Sequence, residues 1–253
     1  MQAFSVPGLP EVRPGDDLAA MIDERTTLDD GDVVLVASTV VSKAEGRTAS
    51  LEDYEPGQRA ERIADGIAAV ADEDRDPRFA QAVLDDAEEL LIEAPFLLAV
   101  TPFGHVGVNA GIDRSNTGDA DLLLLPVDPT ESAERIRDGL EADVAVIVTD
   151  TSGRPFRAGQ RGVAIGWAGM PAMRDWRGET DRDGREMEVT VEAVVDELAA
   201  TANLVTGEGD GGTPVAVVRD YDLDAVEGAD RLFRDPETDF VRQALRGWSY
   251  AGR

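Results

Sequence analysis

Four polar, glycine-punctuated segments hold most of the residues in this chain that could do chemistry: PGLPEV (7–12), STVVSKAEGR (38–47), TPFGHVGVNAGIDRSN (101–116) and TDTSGRPFRAGQRG (149–162). A fifth, TGEGDGG (206–212), follows a long amphipathic stretch. Glycine at this density lets backbone N–H groups approach a ligand closely, and successive N–H groups in such loops can cradle phosphate. Lys43 stands out because it is the only lysine; the remaining basic residues are all arginine. A compact ammonium meets a phosphate as a point charge, a task that arginine takes over poorly, although a solvated surface charge is the plainer role. Asp150 ends an apolar run and precedes Thr151 and Ser152, and Asp113 follows a glycine turn. Strand-end aspartate beside a hydroxyl presents hard oxygen ligands suited to Mg²⁺ or Mn²⁺ next to a phosphate; a turn cap is the alternative for either aspartate. Arg154, Arg157 and Arg161 could give local positive potential for an anionic ligand or could simply pair with the acidic surface. His105 is the only histidine. One histidine is a poor basis for a metal site, and packing in a loop with backbone hydrogen bonds is the competing role.

These segments need elements to hold them. DGDVVLVASTVV (30–41) reads as a turn and a buried strand, and FLLAVT (96–101), LLLLPV (122–127), ADVAVIVTD (142–150) and TPVAVVRDY (213–221) as further strands. Residues 56–74 and 79–93 read as helices, the first through Ile63, Ile67 and Val70 on one face and the second through Ala80, Val83, Leu84, Ala87 and Leu91 on one face. A helix over 128–140 has Asp128 as N-cap, Pro129 at its first position and Glu131 three residues after the cap. A long helix over 186–206, through Met187, Val191, Val194, Leu198, Ala202 and Val205, ends at Gly207. Strands and helices do not alternate strictly, so the expectation is an α+β fold with mixed, largely antiparallel sheets and flanking helices. Gly207, Gly209 and Gly212 match G-x-G-x-x-G, but the order is helix, loop, strand, whereas the dinucleotide fingerprint needs a strand before it and a helix after. A Rossmann site is excluded on that ground, and no P-loop motif is present.

With 253 residues the chain can bury a sizeable core. It has no cysteine, so no disulfide or thiolate chemistry. No apolar run approaches the length of about 20 residues that a membrane span needs, and the N-terminus does not read as a signal peptide. The formal charge is −28, with 52 acidic residues against 24 basic ones, spread along the chain. Such self-repulsion is tolerable where salt is concentrated, since the Debye length falls to about 3 Å at 1 M. The expectation is a cytoplasmic protein of a salt-rich cell that binds neither nucleic acid nor membrane.

The segments PGLPEVRPGDDL, DGDVVLVASTVVSKAEGR, TPFGHVGVNAGIDRSN, TDTSGRPFRAGQRGVAIG and DELAATANLVTGEGDG, leading into PVAVVRDY, resemble the coenzyme F420:L-glutamate ligases (F420-0:γ-glutamyl ligases) over nearly the whole chain. The resemblance implies a GTP-dependent enzyme. It would add L-glutamate by its α-amine to the lactyl carboxylate of the deazaflavin precursor F420-0, and then further glutamate in γ-linkage. It further implies Mg²⁺ or Mn²⁺, a monovalent cation such as K⁺, and an intertwined homodimer. Carried over by motif, Leu9, Pro10, Glu11, Val12, Ser38, Thr39, Lys43 and Asn116 resemble nucleotide contacts, as does the loop of Leu204, Val205, Thr206, Gly207, Glu208, Gly209, Asp210 and Gly211. Asp113, Asp150, Thr151 and Glu208 resemble metal donors, with Glu208 where the family usually has glutamine; Lys43 and Asp150 are the expected catalytic residues. Residues 1–253 would form one ligase unit, with two subdomains as an option and without the nitroreductase-like domain fused to some relatives. A nucleotide- or deazaflavin-binding homologue without ligase activity, or an amide ligase with another acceptor, are the alternatives.

Overall fold

The computed structural model describes residues 1–71, 75–209, 211–223 and 228–249. In chain order the elements are β1 (Gln2–Ser5), α1 (Leu18–Asp23), β2 (Val33–Ala37), α2 (Ser38–Ala44), β3 (Thr48–Ala49), α3 (Gln58–Ala71), α4 (Pro77–Asp86), β4 (Glu89–Ile92), β5 (Leu98–Val100) and β6 (Val106–Val108). They continue with β7 (Leu122–Leu123), α5 (Pro129–Gly139), β8 (Ala145–Arg154), β9 (Arg157–Ala168), β10 (Arg174–Asp175), β11 (Val191–Glu192), α6 (Val194–Thr206), β12 (Val215–Arg219) and α7 (Phe240–Arg246). The fold is α+β, and the chain divides into two compact units, Met1–Glu45 with Asp128–Leu232, and Gly46–Val127 with Phe233–Arg253.

The first unit is built on a five-stranded sheet of order β1-β12-β2-β8-β9, in which only the β2–β8 pair is parallel. Val33–Val36 and Val215–Val218 are essentially inaccessible to solvent. These central strands are covered on both faces, which is why they read as continuous valine-rich runs rather than as alternations. Helices α5 and α6 both pack on β9, and two glycines make the close approach possible. A Cβ on Gly166 would run into the Pro129 backbone at the start of α5, and one on Gly162 would run into the Ala199 carbonyl of α6. Gly166→Ala is therefore expected to cost about 1–3 kcal/mol by overpacking, read as a lowered denaturation midpoint in molar KCl.

The second unit holds a three-stranded antiparallel sheet (β4-β5-β6) and the short β3–β7 pair. Its core gathers Leu51, Ile63, Ile67, Phe79, Val83, Leu97 and Leu122. Val70, expected on the buried face of α3, is 38% exposed. Helix α7 is fastened to β4 by Glu89, which accepts from Arg242 (2.5 and 2.8 Å) and Arg246 (2.5 and 3.0 Å). Hydrogen bonds from Arg246, and then from Arg242, hold the Glu89 carboxyl down at about 2 against the cost of its burial. His105 lies in the same unit, buried with its ring edge-on to Phe233 at 6.2 Å between centroids. Burial pushes its pKa down to about 4 from the usual 6.5. The unfolded chain takes up the proton first as pH falls, so stability is lost between about pH 6.5 and 4, by about 3 kcal/mol at most. Urea titrations are expected to show this loss in the native protein and not in His105→Leu between about pH 6.5 and 5, above the range where Glu89 takes up its proton in the unfolded chain.

Several expectations need correction. The strand over 30–41 stops at Ala37, and Ser38–Ala44 is helical, although Thr39, Val40 and Val41 favour extended chain. The ladder decides: Val36 is opposite Val215, the first residue of β12, so residues beyond Ala37 have no partner on that side. The helix over 79–93 ends at Asp86, and Glu89–Ile92 pair with β5 instead. The helix over 186–206 begins only at Val194, because Val191–Glu192 pair with β10. Residues 157–168, expected to open as a loop, form the second arm of a long hairpin with β8. The helix over 128–140 is present as α5, with the Asp128 carboxylate accepting from Thr130 and Glu131 N–H at 3.1 and 3.0 Å.

Candidate functional site

The site in the first unit grows from the point where β2 turns into α2 and β8 leaves the core. Strands β2 and β8 run parallel in register up to Ala37 opposite Thr149. The next residues, Ser38 and Asp150, therefore emerge side by side, and Ser38 Oγ donates to Asp150 Oδ1 at 3.1 Å. Ser38 is buried, and Thr39 is half-buried beside it. One turn further along α2, the Lys43 ammonium donates to Glu11 Oε1 at 2.6 Å. The side chain of Lys43 is 13% exposed and that of Glu11 68%, so the lysine is sheltered and its partner faces solvent. Leu9, Pro10, Glu11 and Val12 lie in the irregular segment after β1, with Val12 buried and Pro10 exposed. Two of the sequence segments, 7–12 and 38–47, are thus joined through one ion pair.

Thr151 adds a second connection. Its hydroxyl donates to Glu208 Oε1 at 2.7 Å, and the Asn203 side-chain amide donates to the same Glu208 oxygen and to Thr151 Oγ1, the latter at 3.4 Å. Leu204, Val205 and Thr206 lie in the last turn of α6, as the helix expected to run to residue 206 requires, so of the segment 204–211 only the part from Gly207, whose φ of 72° ends the helix, is loop. Leu204 is 85% exposed on the outer side of that turn. Gly209 and Gly211 are exposed, and Asp210 lies outside the described residues. Asn203 was not singled out from the sequence: a helical asparagine carries no signal until the fold places it beside Thr151.

Asp113 and Asn116 belong to the second unit and are exposed, in a stretch where Asn109, Ala110, Gly111, Asn116 and Gly118 all have positive φ. The Asp113 carboxylate accepts from Arg114 N–H (2.7 Å), Ser115 N–H (2.8 Å) and Ser115 Oγ (2.6 Å). In the β8–β9 hairpin, Arg161 pairs with Asp196 at 3.5 Å and Arg154 donates to the Gly159 carbonyl at 3.4 Å, while Arg157 is exposed. His105 exchanges hydrogen bonds with Thr101 through its backbone, and its Nε2 has no partner among the described residues.

Asp150, Thr151 and Glu208 offer oxygen donors only, the chemistry that Mg²⁺ or Mn²⁺ takes. Among the described residues no three acidic or histidine side chains gather into a cage. Among the described residues no helix is long and apolar enough to cross a membrane.

The F420-0:Gamma-glutamyl ligase family profile matches residues 8–220. Coenzyme F420:L-glutamate ligase of Halobacterium salinarum is 69% identical over 252 residues, covering 100% of both chains. The proteins of that name from Archaeoglobus fulgidus and Methanosarcina acetivorans are 48% and 43% identical, each over 97% of this chain and over 98% and 96% of their own lengths. The matched span takes in the Lys43–Glu11 pair, the Ser38–Asp150 contact and the Thr151–Asn203–Glu208 cluster, and the chain belongs to the F420-0:gamma-glutamyl ligase family.

Proposed function

We propose that this chain is a coenzyme F420:L-glutamate ligase that uses GTP to activate the lactyl carboxylate of F420-0 as an acyl phosphate. The observation that carries the reading is the Ser38–Asp150 hydrogen bond, which ties the segment bearing Lys43 to a carboxylate 112 residues later in the chain, within β8 where that strand leaves the core. A carboxylate oxygen is a poor leaving group, so an amine cannot displace it directly. Attack of that oxygen on the γ-phosphorus of GTP releases GDP and leaves phosphate as the leaving group. The α-amine of L-glutamate then attacks the carbonyl carbon, the C–O bond to phosphate breaks, and the amine proton is lost. Repetition at the new γ-carboxylate would extend the tail.

Lys43, held at the head of the sheet, offsets charge on the nucleotide phosphates, and exposed Glu11 gives way to them. Leu9, Pro10, Val12, Ser38 and Thr39 would contact the nucleotide together with the segment 204–211; Asn116, in the second unit, is a nucleotide contact on the family pattern alone. Asp150, Thr151 and Glu208 would hold Mg²⁺ or Mn²⁺, an ion that would neutralise charge on the phosphates; Asp113, in the second unit, is a metal donor on the family pattern alone. K⁺ as activating monovalent cation and a homodimeric state complete the proposal, each checked directly, by replacing K⁺ with a tetraalkylammonium salt and by light scattering. The acyl phosphate is tested with F420-0 labelled with ¹⁸O in its carboxylate. One labelled oxygen should appear in inorganic phosphate for each amide formed. Amide formation with unlabelled phosphate would overturn the reading.

A further inference from the structure

The connection at Glu208 has a geometry that the family pattern does not explain. Gly162 is the ladder partner of Thr151 in the β8–β9 hairpin. With no side chain on Gly162, α6 lies directly against the hairpin, and a Cβ there would sit 3.0 Å from the Asn203 Cβ. Asn203 is thus seated beside Thr151 by the close approach of a helix to a glycine. The left-handed turn at Gly207 then brings the chain back, so that Glu208, five residues on, meets both side chains. A carboxylate can only accept, and here the Asn203 amide and the Thr151 hydroxyl both donate to the one oxygen, Oε1. Oε2 receives no hydrogen bond from the described residues, and Glu208 is exposed.

We propose that Asn203 is a positioning residue that, with Thr151, grips Glu208 by Oε1 and so presents Oε2 to a divalent cation. The inference rests on the reading of Thr151 and Glu208 as cation donors. Without the amide, an exposed glutamate on a glycine-rich loop would sample many rotamers and lose entropy on binding. Residues that orient a metal ligand typically change affinity by about 10- to 100-fold when removed.

The test is Mn²⁺ binding to the nucleotide-free protein in molar KCl, read by the loss of the free-ion electron paramagnetic resonance signal. Asn203→Ala keeps a good helix former at this position and is expected to weaken Mn²⁺ about tenfold while the melting curve still shows a cooperative transition. In a Glu208→Ala background the same substitution should add less than about twofold, because it acts through the absent carboxylate. Equal losses in both backgrounds, or unchanged affinity in the single variant, would overturn the role of Asn203. If Glu208→Ala itself leaves Mn²⁺ affinity unchanged, or the native chain binds no Mn²⁺, the donor reading fails and the inference with it. Should Asn203→Ala not fold, Asn203→Ser, too short to reach Glu208, supports the same comparison.

Discussion

Asp150→Asn is expected to lower kcat/KM for GTP-driven glutamate addition by about a thousandfold and to leave the protein folded. The substitution is isosteric and keeps an oxygen that can accept from Ser38, the contact at 3.1 Å that joins α2 to the middle of β8. The strand itself is untouched, since Asp150 pairs with Val163 through the backbone. What is lost is the negative charge. Charge neutralisation by a bound cation between phosphates supplies several kcal/mol of transition-state stabilisation, and about 4 kcal/mol corresponds to a thousandfold. The check is steady-state turnover at saturating Mn²⁺ alongside a melting curve. Turnover within about twofold of the native protein would remove Asp150 from the chemistry and leave it as the partner of Ser38.

The second large effect is expected at Lys43. Lys43→Ala should weaken GTP by roughly ten- to a hundredfold, the equivalent of about 1.5–3 kcal/mol for a hydrogen bond to a charged group. The structural cost should be small. Its partner Glu11 has a 68% exposed side chain, and exposed carboxylates tolerate the loss of a counter-ion. Lys43→Arg should recover only part of the affinity, because a planar fork fits poorly where a sheltered ammonium makes a point contact. Isothermal titration with GTP separates the outcomes. Unchanged affinity in the alanine variant would mean that the single lysine of the chain serves only the ion pair with Glu11.

Much of this was legible before any coordinate was known, and the reasons are local. Val33–Val36 and Val215–Val218 are buried on both faces, so their composition alone announced them as central strands. Helix α5 carried its own cap in Asp128 and Pro129. The Lys43 and Asp150 segments were conspicuous because residue types there ran against the rest of the chain. What was not legible depended on partners far away in sequence. The first four residues of β9, Arg157–Gln160, are all exposed and show no apolar alternation, and only the hairpin with β8 makes them a strand. Ser38–Ala44 is helical against its β-branched composition because the neighbouring strand ends. In the site, single residues could be named but not their connections. That Glu11 meets Lys43, or that a helical asparagine reaches Glu208 across a glycine turn, follows from the packing of α6 on Gly162 and from no motif.

The most direct test is a single reaction. Purified protein in molar KCl is incubated with F420-0, L-glutamate, GTP and Mn²⁺, and the deazaflavin product is weighed by mass spectrometry while GDP is counted. The expected result is a gain of one or more glutamyl residues, with one GDP released for each. Folded protein that binds GTP but leaves F420-0 at its original mass would contradict the assignment of this chain as an F420-0 glutamate ligase.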